Sequence, residues 1–326
     1  MTMAHFTPID LNTWPRREHF HYFAHMAPTG YSLTAEVDVT RLRAALNALT
    51  RKTFGFDFEG WYAAGGWEGD YLPYALMDGD RMIVNVSVNR MHFLQNGQER
   101  HYIQLGTVLT DEAFRRRGLA SQLMRVAMDD MRGDCDGFYL FGDLSALGFY
   151  DSLGFSRITE TRYALREDAR QSLADRAARR EASARFLPVN REDAALAARY
   201  REALQDSAAC SALEHLNRRS LHLFYTRSMK TVRYCPELDA FCVLGREDGE
   251  TVLQSVLCAQ RLPLEEILSR IDAPVARLVF APEASDAKWF EAQPWDGGED
   301  YRLFILGDAL RAVQTQGLCF PALSHA

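Results

Sequence analysis

Residues 104–123, QLGTVLTDEAFRRRGLASQL, constrain the fold more than any other stretch of the chain. An apolar strand ends at Thr110, a four-residue loop follows, and Arg115, Arg116, Arg117, Gly118, Leu119, Ala120 and Ser121 open an amphipathic helix. The first turn of a helix has N–H groups with no intrahelical partner, and the helix dipole puts its positive end there. Strand, short loop and helix start therefore make an anion site. The arginines add charge, and Gly118 and Ala120 are small enough for a phosphate to approach the backbone. No Gly-Lys-Ser/Thr is present to offer a hydroxyl to magnesium, so the pattern predicts a pyrophosphate held without metal.

The flanking patterns predict a mixed α/β layer. Thr40 can cap a helix over 40–49, and 58–66 reads as helical. Strands are predicted over 72–77 and 81–93, joined at Asp78-Gly79, and over 100–110. A helix over 118–131, a strand over 137–141, a helix over 145–153 and a strand over 155–165 follow. Residues 166–185, REDARQSLADRAARREASAR, read as a solvated helical linker in which acidic residues interrupt the arginines. Beyond it, helices are predicted over 194–204, 213–219 and 264–271, and strands over 240–244, 251–259, 276–280 and 301–306. This order partly echoes the first layer, as a degenerate repeat would.

The strand–loop–Arg-x-x-Gly-x-Ala–helix pattern resembles the acetyl-CoA motif of the GCN5-related N-acetyltransferases (GNAT). Downstream, Ala146-Leu147-Gly148-Phe149-Tyr150-Asp151-Ser152-Leu153-Gly154-Phe155 resembles that family's A-x-x-F-Y-x-x-L-G-F signature. With FGFDFEGWYAAGGWEGDYLPYALMDGDRMIVNVSVN and the terminal FPALSHA, the resemblance covers about 46–326. It implies a GNAT mixed sheet over 46–165, the linker at 166–185, and a degenerate GNAT-like α/β domain over 186–326. It further implies acetyl-CoA as co-substrate. Backbone groups of Val108, Leu109 and Thr110 would bond the pantetheine as an added strand does, and Arg115 to Ser121 would cradle the pyrophosphate. Tyr150 matches the general acid that protonates the departing thiolate; a phenol with a pKa near ~10 keeps its proton at neutral pH. Asp143 stands where the family often has an Asn against the pantetheine, and it lacks the amide donor. The resemblance at FPALSHA implies that His325 and the Ala326 carboxylate lie near the acceptor.

Trp61, Trp67 and Tyr71 can wall an acceptor pocket. Glu59, Glu68, Asp70, His101 and the Ala326 carboxylate all stand as candidates for the general base. Residues 6–45 resemble a second family. FTPIDLNTWPRREHFHYF and TGYSLTAEVDVTRL are similar to the start of the chloramphenicol acetyltransferases, which act through His-x-x-x-Asp-Gly. Here Asp78-Gly79 has Tyr74 in the place of that His, so 1–45 is expected to be an extension without that chemistry.

Composition adds bounds. At about 150 residues per domain, 326 residues predict two domains. A net charge of −7 argues against a nucleic-acid partner. None of the six cysteines forms Cys-x-x-Cys or sits beside His at a zinc spacing, and His21 with His25 lacks a third ligand, so no metal is expected. Without an apolar run of membrane-spanning length the expected place is the cytoplasm, with no membrane partner. The expected function is acetyl transfer to a small-molecule primary amine by direct attack in a ternary complex. Chloramphenicol-type O-acetylation and a non-catalytic acyl-CoA sensor are the alternatives. The oligomeric state is left open.

Overall fold

The computed structural model describes residues 39–67, 70–78 and 80–326. The expectations placed on 1–38, and Glu68 as a base, lie outside them. The first half of the chain runs α1 (Val39–Phe54), α2 (Glu59–Ala63), β1 (Tyr71–Asp78), β2 (Arg81–Gln95), β3 (Gln98–Thr110), α3 (Leu119–Met131), β4 (Gly137–Asp143), α4 (Leu147–Ser152), β5 (Ser156–Ile158) and β6 (Glu160–Leu165). It continues through α5 (Glu167–Ala178), β7 (Leu187–Pro188), α6 (Ala194–Asp206), β8 (Leu213–His215), α7 (Arg219–Thr226), β9 (Val232–Cys235), β10 (Ala240–Glu247) and β11 (Glu250–Leu257). The last elements are α8 (Leu264–Leu268), β12 (Val275–Leu278), β13 (Phe290–Trp295), β14 (Tyr301–Leu306) and α9 (Arg311–Thr315).

Two mixed sheets organise these elements. The first has the order β1-β2-β3-β4-β14-β5, with β8 added to β2, and the second β13-β6-β12-β11-β10-β9-β7. Each holds one parallel pair, β3–β4 and β11–β12, and each of those pairs follows an antiparallel hairpin and a crossover helix. The second sheet thus repeats the first in outline, as the echo in the sequence predicts.

The first sheet is a middle layer, and both of its faces are buried. On one face Leu72, Tyr74, Leu76, Val84, Val86 and Val88 pack with Leu123, Met124, Ala127 and Met128 of α3. Alternation puts Tyr71, Ala75 and Met77 on the other face, against Leu42, Ala45, Leu46 and Leu49 of α1 and Trp61 of α2. This explains why 71–77 reads as nearly continuous apolar sequence rather than as alternating polar and apolar residues.

Several expectations change at the tertiary level. Thr40 lies inside α1 rather than capping it, and the helix crosses the boundary expected at 45/46. The strand expected over 155–165 breaks at Thr159: β5 pairs with β14 in the first sheet, while β6 lies between β12 and β13 in the second. Conversely β14, from the carboxyl-terminal part, inserts between β4 and β5. The expected cuts at 165 and 186 therefore do not follow the sheets. The helix expected over 213–219 is a strand followed by a helix, because the end of β2 at Phe93–Gln95 offers an edge to Leu213–His215. Segment 166–185 is not a solvated linker. Its helix α5 buries Ala169, Leu173, Ala174 and Ala177, which recur at helical spacing, and Ala169 and Leu173 join the core that holds Leu264 and Ile267. Among the described residues no helix is long and apolar enough to cross a membrane.

Candidate active site

Pairing between β3 and β4 stops at Gln104↔Tyr139. Past that point the strands diverge, and β3 carries one extra residue against β2, between Gly106↔Ser87 and Leu109↔Asn85. Thr107 sits in this bulge with φ 46°. Asn85 fixes the bulge: its Nδ2 donates to the Thr107 carbonyl at 2.9 Å and to Ser87 Oγ at 3.0 Å, and Ser87 in turn donates to the Tyr71 hydroxyl at 2.8 Å. Burial pushes the Tyr71 hydroxyl up to about 12. Val108 completes the bulge and Leu109 and Thr110 follow it, all on the part of β3 that β4 has left.

The loop after β3 is anchored at Asp111. Its buried carboxylate accepts from Ala113 N at 3.1 Å and pairs with Arg81 at 2.5 Å and Lys52 at 3.2 Å; chiefly the Arg81 hydrogen bond holds it well below the usual carboxylate range. Arg115 Nε donates to the Thr110 carbonyl and Arg117 to the Ala113 carbonyl, which ties the loop back on itself. Arg116 at φ 61° and Gly118 at φ 75° are both left-handed, and these two bends carry the backbone into the start of α3, whose first N–H groups have no intrahelical partner. A side chain at Gly118 would meet nothing nearer than Gln122 Nε2 at 4.0 Å, so the space in front of the backbone is open. Arg115, Arg116 and Arg117 are all exposed around it. This donor set fits a pyrophosphate.

Tyr150 lies in α4 and is 7 % exposed. Its ring covers Gly142 of β4, where a β-carbon would stand 2.7 Å from the ring, and packs on Phe304. Burial, aided by the nearby Asp143 charge, pushes its hydroxyl up to about 12. Among the described residues the hydroxyl has no hydrogen-bond partner. Asp143 itself caps the turn that precedes α4, accepting from Ser145 N at 2.7 Å and Ser145 Oγ at 2.5 Å; those bonds lower its carboxyl below the ordinary value.

On the opposite face of the diverging strands lies the chain end. Phe141, next to Gly142, stacks on His325 at 3.7 Å between centroids, and Tyr225 of α7 donates to the His325 carbonyl at 2.6 Å. The Ala326 carboxylate lies over Gly106, so close that a β-carbon there would fall 2.4 Å from its oxygen. A cavity of about 600 Å³ opens in front of it, walled by Phe58, Trp61, Tyr71, Asn89, Phe224 and Tyr225. Trp61 is held there by donating from Nε1 to the Ser220 carbonyl at 2.8 Å. Trp67 stacks behind Trp61 and meets Tyr71 edge-on, so it buttresses the wall without lining the cavity.

Of the candidate bases among the described residues, the carboxylate of Ala326 is the one in this cavity. Glu59 binds Arg43 and Asn47, Asp70 accepts from Asn217, and His101 stands at the far end of the β2–β3 hairpin. The residues that hold the tail, Gly106, Tyr225 and Phe141, were not singled out from sequence. An isolated glycine inside a strand does signal close backbone approach, and Gly106 carries that signal.

A model of the acetyltransferase (GNAT) family matches residues 44–155, and a model of chloramphenicol acetyltransferase matches residues 4–57. Both resemblances read from the sequence are thereby borne out. A chloramphenicol acetyltransferase from Streptomyces acrimycini is 51% identical over 47 residues, which are 14% of this chain and 21% of that protein. Chloramphenicol acetyltransferase 2 of Escherichia coli is 56% identical over 41 residues, 13% of this chain and 19% of that one. The chain spans about a fifth of the length of these curated relatives. Among solved structures, a GCN5-related N-acetyltransferase from Kribbella flavida shares the fold with a TM-score of 0.50 at 15% identity, over 82% of this chain and 69% of that one.

Proposed function

We propose that this chain is an acetyl-CoA-dependent N-acetyltransferase that acetylates a primary amine of a small molecule by direct attack in a ternary complex. The observation that carries this reading is the placement of two opposite proton-handling groups about one gap in the sheet. Tyr150 lies on the Gly142 face of β4, and the Ala326 carboxylate lies over Gly106 of β3 beside a walled cavity. Acetyl-CoA supplies a thioester. Arg115 to Ser121 hold its pyrophosphate through backbone N–H groups and charge, and the unpaired edge of Val108, Leu109 and Thr110 takes the pantetheine as a strand takes its neighbour. Trp61 and Tyr71 exclude water from the acceptor and orient it.

The Ala326 carboxylate accepts the proton that the amine loses as its C–N bond forms, directly or through one water. Tyr150 holds its proton across the neutral range and gives it to the sulfur as the C–S bond breaks. Asp143 orients the turn that presents Tyr150 and replaces the amide contact suggested by the resemblance. The protein acts as a cytoplasmic enzyme on this reading.

The test is thiol release from acetyl-CoA across a panel of small amines, with chloramphenicol as a separate arm. Turnover with at least one amine, product mass increased by one acetyl group on nitrogen, and none with chloramphenicol is the expected result. Turnover with chloramphenicol alone would replace this reading with O-acetylation, and saturable CoA binding without turnover on any acceptor would replace it with a sensor.

A further inference from the structure

The end of the β2–β3 hairpin remote from the transfer site gathers metal-ligating side chains. His92 and His101 are direct partners in the strand register, and their rings stack at 4.3 Å between centroids and 16°. Glu99 lies two residues before His101, on the same face of β3, with its Oε2 3.3 Å from His92 Nε2. One ring nitrogen from each histidine and one carboxylate oxygen all lie within 4.8 Å of one another. The register causes this. Directly opposed residues have β-carbons about 5 Å apart and diagonal ones about 7–8 Å, within reach of long side chains.

The packing leaves this end of the face open. Val84, Val86 and Val88 of β2 are buried beneath α3, but that helix ends at Met131. The remainder of the face borders a hollow of about 270 Å³ walled by Asp70, Arg90, His92, His101, Met131 and Asp134. The carboxyl end of α3, with its negative partial charge, and the Asp70 and Asp134 carboxylates border the same hollow and offset the Arg90 charge on its wall.

We infer that His92, Glu99 and His101 bind one divalent first-row transition-metal ion of the zinc type. Two imidazoles and a carboxylate are a borderline donor set that suits zinc, and they leave a fourth position for water. Metal–ligand bonds of about 2.0–2.1 Å place tetrahedral ligand atoms about 3.3 Å apart. The His92–Glu99 pair already has that spacing, and rotation about the His101 side-chain bonds closes the rest. Asn89 faces the acceptor cavity from the other side of β2, so the metal holds the hairpin end that receives β8 and takes no part in acetyl transfer. The sequence predicts no metal because the three ligands show no motif along the chain; only the register unites them.

The full chain, stripped with chelator, is titrated with zinc chloride against a chromophoric indicator, and its thermal midpoint is followed in parallel. One equivalent bound in the micromolar range or tighter, with a raised midpoint, is expected. His92→Ala and His101→Ala should each weaken binding about 100-fold and Glu99→Gln about 10-fold, with unchanged circular dichroism in the metal-free state. These side chains are exposed or half-buried, and the conservative Glu99→Gln guards against misfolding. Zinc bound with unaltered stoichiometry and affinity by the His92→Ala/His101→Ala double variant would assign the ion to other groups, such as His21 and His25, and overturn the inference. So would the absence of saturable binding below about 100 µM.

Discussion

Replacing Gly106 with alanine tests whether the position of the chain end matters to catalysis. Gly106 lies in extended backbone, without the left-handed φ that would oppose a side chain, so the added methyl group strains nothing locally. It would, however, stand 2.4 Å from the Ala326 oxygen and 2.8 Å from its carbon, where ordinary contact begins at 3.4 Å. The carboxylate must retreat by about 1 Å. Tyr225 and Phe141 hold the neighbouring His325, so the retreat strains that anchoring and lowers stability, while Ala326 itself, exposed at the tip, takes up most of the movement. A displacement of this size in a reacting group is worth roughly 10²-fold in rate. Gly106→Ala should therefore lower kcat/KM for the acceptor about 100-fold while CoA affinity, measured by calorimetry, stays constant. Removing Ala326 should have an effect of the same order, and combining both changes should add little to either, since each disables the same group. A folded Gly106→Ala enzyme with unchanged acceptor kinetics would refute the role given to the tail.

Tyr150→Phe removes one hydroxyl and keeps the ring that packs on Phe304; kcat should fall by about 10²–10⁴ with CoA binding preserved, and a variant as fast as wild type under rate-limiting chemistry would remove the general acid. Gly118→Glu strains a φ of 75° and sets a carboxylate into the open anion site; calorimetry should show CoA affinity lost in a folded protein, and undiminished affinity would sink the pyrophosphate assignment. Glu160 is 4 % exposed, and its burial raises the carboxyl from 4.5 to about 7. The folded state thus holds a proton that the unfolded state releases, so its stabilising share is full below pH 4.5 and is lost as pH rises through 7. Glu160→Gln should be more stable than wild type at pH 8 by about 2–3 kcal/mol, a gain that vanishes near pH 5 in urea titrations; an equal difference at both pH values would contradict the buried acid.

What the sequence determined by itself is local in origin. The anion site follows from residues 104–123 because loop, glycine and helix start are contiguous, and a helix amino terminus binds anions wherever it is placed. Helices α3 and α6 and the hairpins β1–β2 and β10–β11 follow from periodicity and turn residues for the same reason. Tyr150 was legible through the short segment around it. The aromatic residues Trp61, Trp67 and Tyr71 read as walls of a pocket, although nothing along the chain says that Trp67 stands behind the other two. Tertiary structure alone decided the exchange of β6 and β14 between sheets, the strand identity of Leu213–His215, the burial of the alanine face of α5, the seat of Ala326 over Gly106, and the meeting of His92 with Glu99 and His101. Each of these depends on register between distant strands or on which edge is left unpaired. A backbone edge accepts any strand whose groups fit, with no side-chain signature to announce it, so the partner is fixed by where the rest of the chain has already packed.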